Sequence, residues 1–169
     1  LSKDDRSEFL DIILANSNQL LTIINDILEI SRIESGDLKL KYSEVNIAEL
    51  LKNVYISYKD LASSKSLDLN YEFDGLDEKD YYMVDKVRLR QIIGSLLDNA
   101  LKFAEVGYVK FGVKKQNGDL LFYVEDTGIG IDEKDKEIVF DRFRQVDDFI
   151  NKKHQGIGLG LAISKAFVE

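Results

Sequence analysis

The first part of the chain carries one long helical pattern. Between Asp5 and about Glu34 there is no Gly or Pro, and apolar or small residues recur at alternating spacings of three and four. These positions are Leu10, Ile13, Ser17, Leu20, Ile24, Ile27 and Ser31. Such a seam is typical of a helix that packs in a bundle, and further apolar residues beside it indicate more than one neighbour. Gly36 is expected to end this helix.

The pattern changes after about residue 40, where shorter apolar segments of two different periods follow one another. Asn46 and Glu49 can cap one helix, and Asp85 can cap another that runs to about Phe103. Later segments predict a short helix over 133–142, a charged loop over 145–155 and a last helix over 159–168.

Strand patterns lie between these helices, over 67–73, 81–84, 109–113 and 120–124. Asn117-Gly118, between the last two, is the dipeptide most typical of a tight hairpin. The sum predicts an α+β chain, in which residues 1–40 form a long bundle-type helix and residues 41–169 form a two-layer α/β sandwich. Its mixed, largely antiparallel sheet is expected to be covered by helices on one face.

Composition excludes several classes of function. The 23 Lys and Arg stand against 31 Asp and Glu, and the net charge of −8 argues against general nucleic-acid binding. The chain has no Cys, which excludes disulfides, thiolate metal sites and cysteine nucleophiles. No apolar run approaches the ~18–20 residues that cross a bilayer, so no membrane contact is expected of this segment.

Three clusters of residues are candidates for chemistry. On the helix that ends near Phe103, Gln91, Ser95, Asn99 and Lys102 form a polar stripe opposite the apolar one. By itself such a stripe is also what a solvent-facing helix side looks like.

The second cluster, Asp126-Thr127-Gly128-Ile129-Gly130, follows an apolar strand, where a carboxylate and two glycines allow a sharp turn and a close approach to a ligand. A plain strand-to-helix turn would have the same pattern. In the third cluster, Gly156, Gly158 and Gly160 precede a helix and can expose N–H groups to phosphate. The P-loop and dinucleotide fingerprints are absent, so nucleotide binding depends on the three clusters together.

In this order the clusters resemble the ATP-binding catalytic region of sensor histidine kinases, in the GHKL ATPase superfamily. Residues 88–103 resemble the N box, 126–130 the G1 box, 140–145 the F box and 156–162 the G2 box. Upstream, the sequence LTIINDILEISRIESG at residues 21–36 is similar to the end of the second helix of that family's dimerisation and phosphotransfer hairpin.

The resemblance implies roles for individual residues. Asp126 would accept a hydrogen bond from the adenine amino group, Asn99 would coordinate Mg²⁺, and Lys102 would lie against phosphate oxygens. The other implied nucleotide-binding positions are Phe103, Gly128, Gly130, Lys152, Lys153, Gly156, Gly158, Gly160 and Leu161. Residues 144–158 would form a lid over the triphosphate, anchored by Phe140 and Phe143, with Lys152 or Lys153 offering a cation.

Several positions depart from the family pattern. The phosphate-accepting histidine is missing, because the only His is His154 in the lid, so no residue of this chain is expected to be catalytic and the chain should not autophosphorylate. Ser95 stands where the N box usually has its first Asn, and Gln155 and Ile157 replace the usual Gly and Thr of the G2 box. These changes predict weaker Mg–ATP binding. The family's final strands are expected to lie beyond Glu169.

Three functional hypotheses follow. The first is the ATP-binding part of a histidine kinase, with a phosphotransfer hairpin and a response-regulator receiver domain as partners and a homodimer through the first helix. The second is a catalytically weak or inactive module that binds nucleotide or only dimerises. The third is another ATPase of the same fold, which the hairpin-like first helix disfavours. The expected location of this segment is the cytoplasm, whether or not the parent protein is anchored in a membrane.

Overall fold

The computed structural model describes residues 3–144 and 158–169. The chain divides into two compact units, Leu1–Leu38 and Lys39–Glu169.

The first unit is a single helix, α1, which spans Lys3–Glu34. It ends as Gly36 predicts: this residue has a φ of +70°, its N–H bonds to the Ile33 carbonyl at 3.2 Å, and the Asp37 N–H bonds to the Arg32 carbonyl at 3.0 Å. This pair of bonds satisfies carbonyls that the helix end leaves open. Most of the described apolar side chains of α1 are exposed in the single chain, from 44% for Ile24 to 59% for Leu10, whereas Ile23, Ile30 and Ile33 are partly buried.

The second unit begins with strand β1 (Ser43–Asn46) and helix α2 (Ile47–Ser64). Asn46 caps α2 as the sequence predicts, because its Oδ1 accepts a hydrogen bond of 2.8 Å from the Glu49 N–H. Strands β2 (Asp68–Asp74) and β3 (Tyr81–Val84) follow. Helix α3 (Lys86–Phe103) begins at its predicted cap, where Asp85 accepts from the N–H groups of Val87 and Arg88.

The remaining elements are β4 (Tyr108–Gln116), β5 (Asp119–Asp126) and α4 (Gly160–Val168). The predicted hairpin at Asn117-Gly118 joins β4 to β5, and both of its residues have positive φ, 53° and 95°. One sheet has the order β2-β4-β5, with β2 and β4 parallel and β4 and β5 antiparallel. The strands β1 and β3 form a separate antiparallel pair. The α+β class and the mixed sheet are therefore confirmed.

The core of the second unit lies between the sheet and the helices α2 and α3. Val109, Phe111 and Val113 of β4 are fully buried against residues of both helices, among them Leu51 and Leu97. Burial of each such side chain contributes about 1.5–3 kcal/mol. The alternate residues of β4 therefore face away from the helices, and the two layers fix where α3 and the end of β5 lie.

On that other face, the hydroxyl of Tyr123 lies against Gly112 of β4 and donates a hydrogen bond to the Glu72 carboxylate on β2. Lys110 pairs with the same carboxylate at 2.7 Å. The hydrogen bonds from Lys110 and Tyr123 lower the pKa of Glu72. The three strands are thus joined by side chains as well as by their backbone ladder.

The helix predicted over 133–142 is wrong. The structure has two 3-10 turns there, Glu133–Asp135 and Ile138–Phe140. Neither turn has a side-chain cap or a buried residue, and a short helix without a packed face is not stable in water. The predicted charged loop over 145–155 lies outside the described residues.

Candidate functional site

The polar stripe of α3 lies beside the start of α4. Gln91, Ser95, Asn99 and Lys102 are each half-buried, and a Cβ atom added to Gly160 would lie only 2.6 Å from Ser95 Oγ. The absence of a side chain at position 160 therefore lets the two helices approach. The stripe is therefore not a purely solvent-facing side of α3, because part of it packs against the start of α4.

At the end of the stripe, Lys102 places its Nζ 4.9 Å from the centre of the Phe103 ring. Burial lowers the pKa of Lys102, because leaving water disfavours the charged ammonium. Among the described residues no charged neighbour contributes to this shift. A half-buried cation of this kind is suited to binding an anionic group from outside the chain.

Asp126 lies at the end of β5 and is exposed. Its Oδ1 accepts a hydrogen bond of 2.8 Å from the Gly128 N–H, which holds the carboxylate over the turn. A Cβ atom on Gly128 would lie 2.7 Å from that oxygen and 2.8 Å from the carbonyl oxygen of Phe103. Glycine at 128 thus brings the G1-like turn against the last residue of α3, and Gly130 completes the turn with a φ of +72°.

Thr127 is a residue whose part in the site the sequence pattern does not reveal. Its hydroxyl contacts the segment that follows α3, at Val106 and Tyr108. The contact joins residues about twenty positions apart, so no local spacing could have indicated it. The one local feature of the sequence that points to a close contact here is the glycine at position 107, whose φ is +100°.

The start of α4 offers backbone donors. Leu159 precedes the helix without a side-chain cap, and the first residues of the helix are Gly160 and Leu161. The first N–H groups of a helix have no partner within it and carry the positive end of the helix dipole. Leu159 and Ile163, buried to 1% and 2% exposure, hold this end of α4 in the second unit.

The boundaries of the predicted lid lie side by side. The Phe143 N–H donates a hydrogen bond of 3.0 Å to the Gly158 carbonyl, and a Cβ atom on Gly158 would meet the Arg144 carbonyl oxygen at 2.5 Å. The ammonium of Lys165 lies 5.9 Å from the centre of the Phe140 ring; Phe140 and Phe143 are both exposed, to 40% and 64%. Lys152, Lys153, His154, Gln155, Gly156 and Ile157 lie outside the described residues.

One contact from α2 and one from the residue that follows it support α3. The Tyr58 hydroxyl donates to the Gly94 carbonyl at 3.3 Å, and burial raises the pKa of this tyrosine. Lys65, just after α2, donates from Nζ to the Leu101 carbonyl at 2.8 Å, in the last turn of α3. A cation at a helix C-terminus satisfies a carbonyl and favours the dipole.

Within residues 3–144 and 158–169, no group of three or more His, Cys, Asp or Glu is arranged to hold a metal ion. A fully protein-made metal cage is thus not present in this part of the chain. The half-buried amide of Asn99, between Ser95 and Lys102, supplies a single hard oxygen donor. Mg²⁺ is often bound by one or two protein oxygens together with substrate phosphates and water, and this donor set fits such a site.

The described part of the chain contains no helix with the length and apolar character of a membrane span.

Comparison with known families identifies the chain. Residues 84–169, just over half of the chain, match the family of histidine kinase-, DNA gyrase B-, and HSP90-like ATPases. Residues 1–36 match the His Kinase A (phospho-acceptor) domain. The chain therefore belongs to the sensor histidine kinases with an ATPase domain of this kind, as the order of its motifs predicts.

Individual relatives agree with this assignment. Hybrid signal transduction histidine kinase D of Dictyostelium discoideum is 37% identical over 165 residues, which cover 94% of this chain and 10% of the relative. Signal transduction histidine-protein kinase BarA of Escherichia coli K12 is 36% identical over 166 residues, 95% of this chain and 18% of BarA. The chain thus spans less than a fifth of the length of these two relatives.

Solved structures share the fold. The crystal structure of full-length ShkA in complex with AMPPNP has a TM-score of 0.82 and 29% identity, covering 98% of this chain and 34% of that one. The histidine kinase ThkA in complex with response regulator protein TrrA has a TM-score of 0.67 and 24% identity, covering 86% and 42%. The sandwich predicted from the sequence is the fold of these kinases.

Proposed function

We propose that residues 39–169 bind Mg–ATP and pass its γ-phosphoryl group to a histidine of a phosphotransfer hairpin, for relay to an aspartate of a response regulator. The observation that carries this proposal is that two motif segments, distant in sequence from each other, both contact a third, which is α3. The start of α4 contacts it at Ser95, and the turn after β5 contacts its end at the Phe103 carbonyl. Membership of the sensor histidine kinases supports the same conclusion.

Asp126 would select the base. Its Oδ1 already accepts from Gly128, and a carboxylate has further lone pairs that can accept from the adenine amino group. Guanine presents a carbonyl oxygen where adenine has that amino group, and two acceptors facing each other repel. The site should therefore prefer ATP to GTP.

At the phosphate end, Lys102 and the first N–H groups of α4 would bind the anionic oxygens. Asn99 would hold Mg²⁺ by its amide oxygen, and the ion when bound neutralises phosphate charge during transfer. The roles proposed for Lys152, Lys153, Gly156 and the rest of the lid concern residues outside the described ranges and stay predictions.

The accepting histidine would come from a hairpin supplied to this chain. The sequence holds a single histidine, His154, and it lies in the lid segment. In the proposed transfer the bond between the γ-phosphorus and its bridging oxygen breaks as an imidazole nitrogen forms the new bond, and ADP leaves. The response regulator then takes the phosphoryl group onto its aspartate.

Calorimetric titration with ATP, with and without Mg²⁺, tests the binding step. Asp126→Asn should weaken ATP binding by at least about tenfold, the loss expected for a charge-assisted hydrogen bond. Asp119→Asn is the matched control, because it makes the same change at the opposite end of β5. Equal affinity of a folded Asp126→Asn chain and the wild type would contradict the proposed base recognition.

The transfer step needs a second assay, in which radiolabelled ATP is incubated with this chain and a histidine-bearing hairpin. Label on the hairpin, and its loss in the Asn99→Ala variant, would support the kinase function. A chain that binds ATP but labels no hairpin would instead be a nucleotide-binding and dimerisation module. Ser95, which stands in place of an asparagine at the phosphate end, favours that second function.

We also propose that α1 forms a homodimer. Its apolar seam is largely exposed in the single chain, and the match to the phospho-acceptor domain supports a bundle of helices from two copies.

A further inference from the structure

The hydroxyl of Thr127 ties the turn after β5 to the segment between α3 and β4. It donates to the Val106 carbonyl at 2.7 Å and accepts from the Tyr108 N–H at 3.0 Å. A hydroxyl has one proton and two lone pairs, so both bonds form together. The backbone adds a third bond, from the Thr127 N–H to the Tyr108 carbonyl at 3.2 Å.

Gly107 makes this contact possible. Its φ of +100° is a conformation that residues with side chains rarely adopt, and a Cβ atom there would lie 2.4 Å from Thr127 Oγ1. The Gly107 carbonyl is held from its other side by the Asp68 N–H at 3.0 Å. The segment around Gly107 is thus fixed between the start of β2 and the threonine.

The same turn contacts α3 through its next residue. Gly128 lies against the Phe103 carbonyl and donates its N–H to Asp126. The exposed carboxylate of Asp126 is therefore placed by two neighbours in sequence, Thr127 and Gly128, and each of them contacts the chain between residues 103 and 108.

We infer that Thr127 and Gly107 are positioning residues for nucleobase selection by Asp126. Loss of the hydroxyl would free the turn from the segment after α3 and let the carboxylate move relative to the base. The inference rests on the proposed function, because it assumes that Asp126 selects adenine. Its signature is a change in the preference for ATP over GTP, which a general loss of stability would not alter.

The experiment measures the dissociation constants of ATP and GTP for four folded chains: wild type, Thr127→Val, Thr127→Ser and Gly107→Ala. Valine keeps the shape of threonine without the hydroxyl, whereas serine keeps the hydroxyl. We expect Thr127→Val to reduce the GTP-to-ATP ratio of dissociation constants by about 2- to 12-fold, the equivalent of one of the two neutral hydrogen bonds that the hydroxyl makes. Thr127→Ser should retain the ratio, and Gly107→Ala should reduce it.

The outcomes separate the two levels of the proposal. A wild-type chain without preference for ATP would refute base selection by Asp126, and this inference with it. A wild-type preference that Thr127→Val leaves intact, or equal weakening of both nucleotides, would overturn the inference alone. If Thr127→Val does not fold, the GTP-to-ATP ratio of dissociation constants measured for Gly107→Ala tests the inference in its place.

Discussion

Gly128→Ala is the sharpest test of how the site is built. Gly128 does not have a positive φ, so alanine meets no backbone strain there, and the whole effect is steric. The new Cβ would lie 2.7 Å from Asp126 Oδ1 and 2.8 Å from the Phe103 carbonyl oxygen. These distances fall about 0.6–0.7 Å short of the 3.4 Å at which ordinary contact begins.

One of the two obstacles is backbone at the end of α3, so side-chain rotation cannot relieve both. Overpacking of this kind costs about 1–3 kcal/mol. Because one of the displaced groups, the Asp126 carboxylate, is the one proposed to contact adenine, we expect ATP affinity to fall by at least about fivefold. Calorimetric titration measures the affinity, and thermal unfolding shows whether the variant is folded.

Gly130→Ala is the matched control in the same turn. Nothing lies within 4 Å of a Cβ at this position, but its φ of +72° makes alanine strained. It should cost about 1–2 kcal/mol of stability and less affinity than Gly128→Ala. A folded Gly128→Ala chain that binds ATP as tightly as the wild type would refute the reasoning.

Three further predictions concern stability and assembly. Lys65→Met should lower the free energy of unfolding, measured in urea, by about 1 kcal/mol, because a carbonyl at the end of α3 loses its hydrogen-bond donor. The control variant Lys59→Met should have little effect. Glu72 has a lowered pKa in the folded chain, so its stabilisation is present above the unfolded pKa and is lost as the pH falls through the folded value. Unfolding midpoints of Glu72→Gln should therefore depend less on pH in the acidic range than those of the wild type. For α1, Ile24→Glu should abolish self-association in sedimentation equilibrium, while Gln19→Glu, away from the seam, should preserve it; an unchanged Ile24→Glu dimer would contradict the bundle.

The parts of the fold that depend on local chemistry could be predicted from the sequence. Asn46 and Asp85 cap their helices, Gly36 ends α1, and Asn117-Gly118 makes the hairpin, because each of these roles requires only residues a few positions apart. The helix expected over 133–142 failed for the complementary reason. Its residues have helical preferences, but none of them is fully buried in the structure.

The motifs of the candidate site can be found in the sequence, but their arrangement in space cannot. The types of residue at Asn99, Lys102 and Asp126 indicate a nucleotide site, and the order of their motifs along the chain indicates the sensor histidine kinase family. That Ser95 faces Gly160, or that Thr127 bonds across Gly107, follows from how α3, α4 and β5 pack. Such contacts join residues far apart in the chain, so no spacing reveals them.

The environment of Lys102 has a practical consequence for covalent chemistry. A lysine whose pKa is lowered by burial carries more free amine at mildly alkaline pH than an exposed lysine does, and free amine is the form that attacks acylating reagents. Lys102 should therefore react faster with an acylating reagent than other lysines of similar exposure, and a bound nucleotide should protect it. Peptide mass mapping after brief acylation would then report occupancy of the site in the unmodified sequence, without any engineered probe.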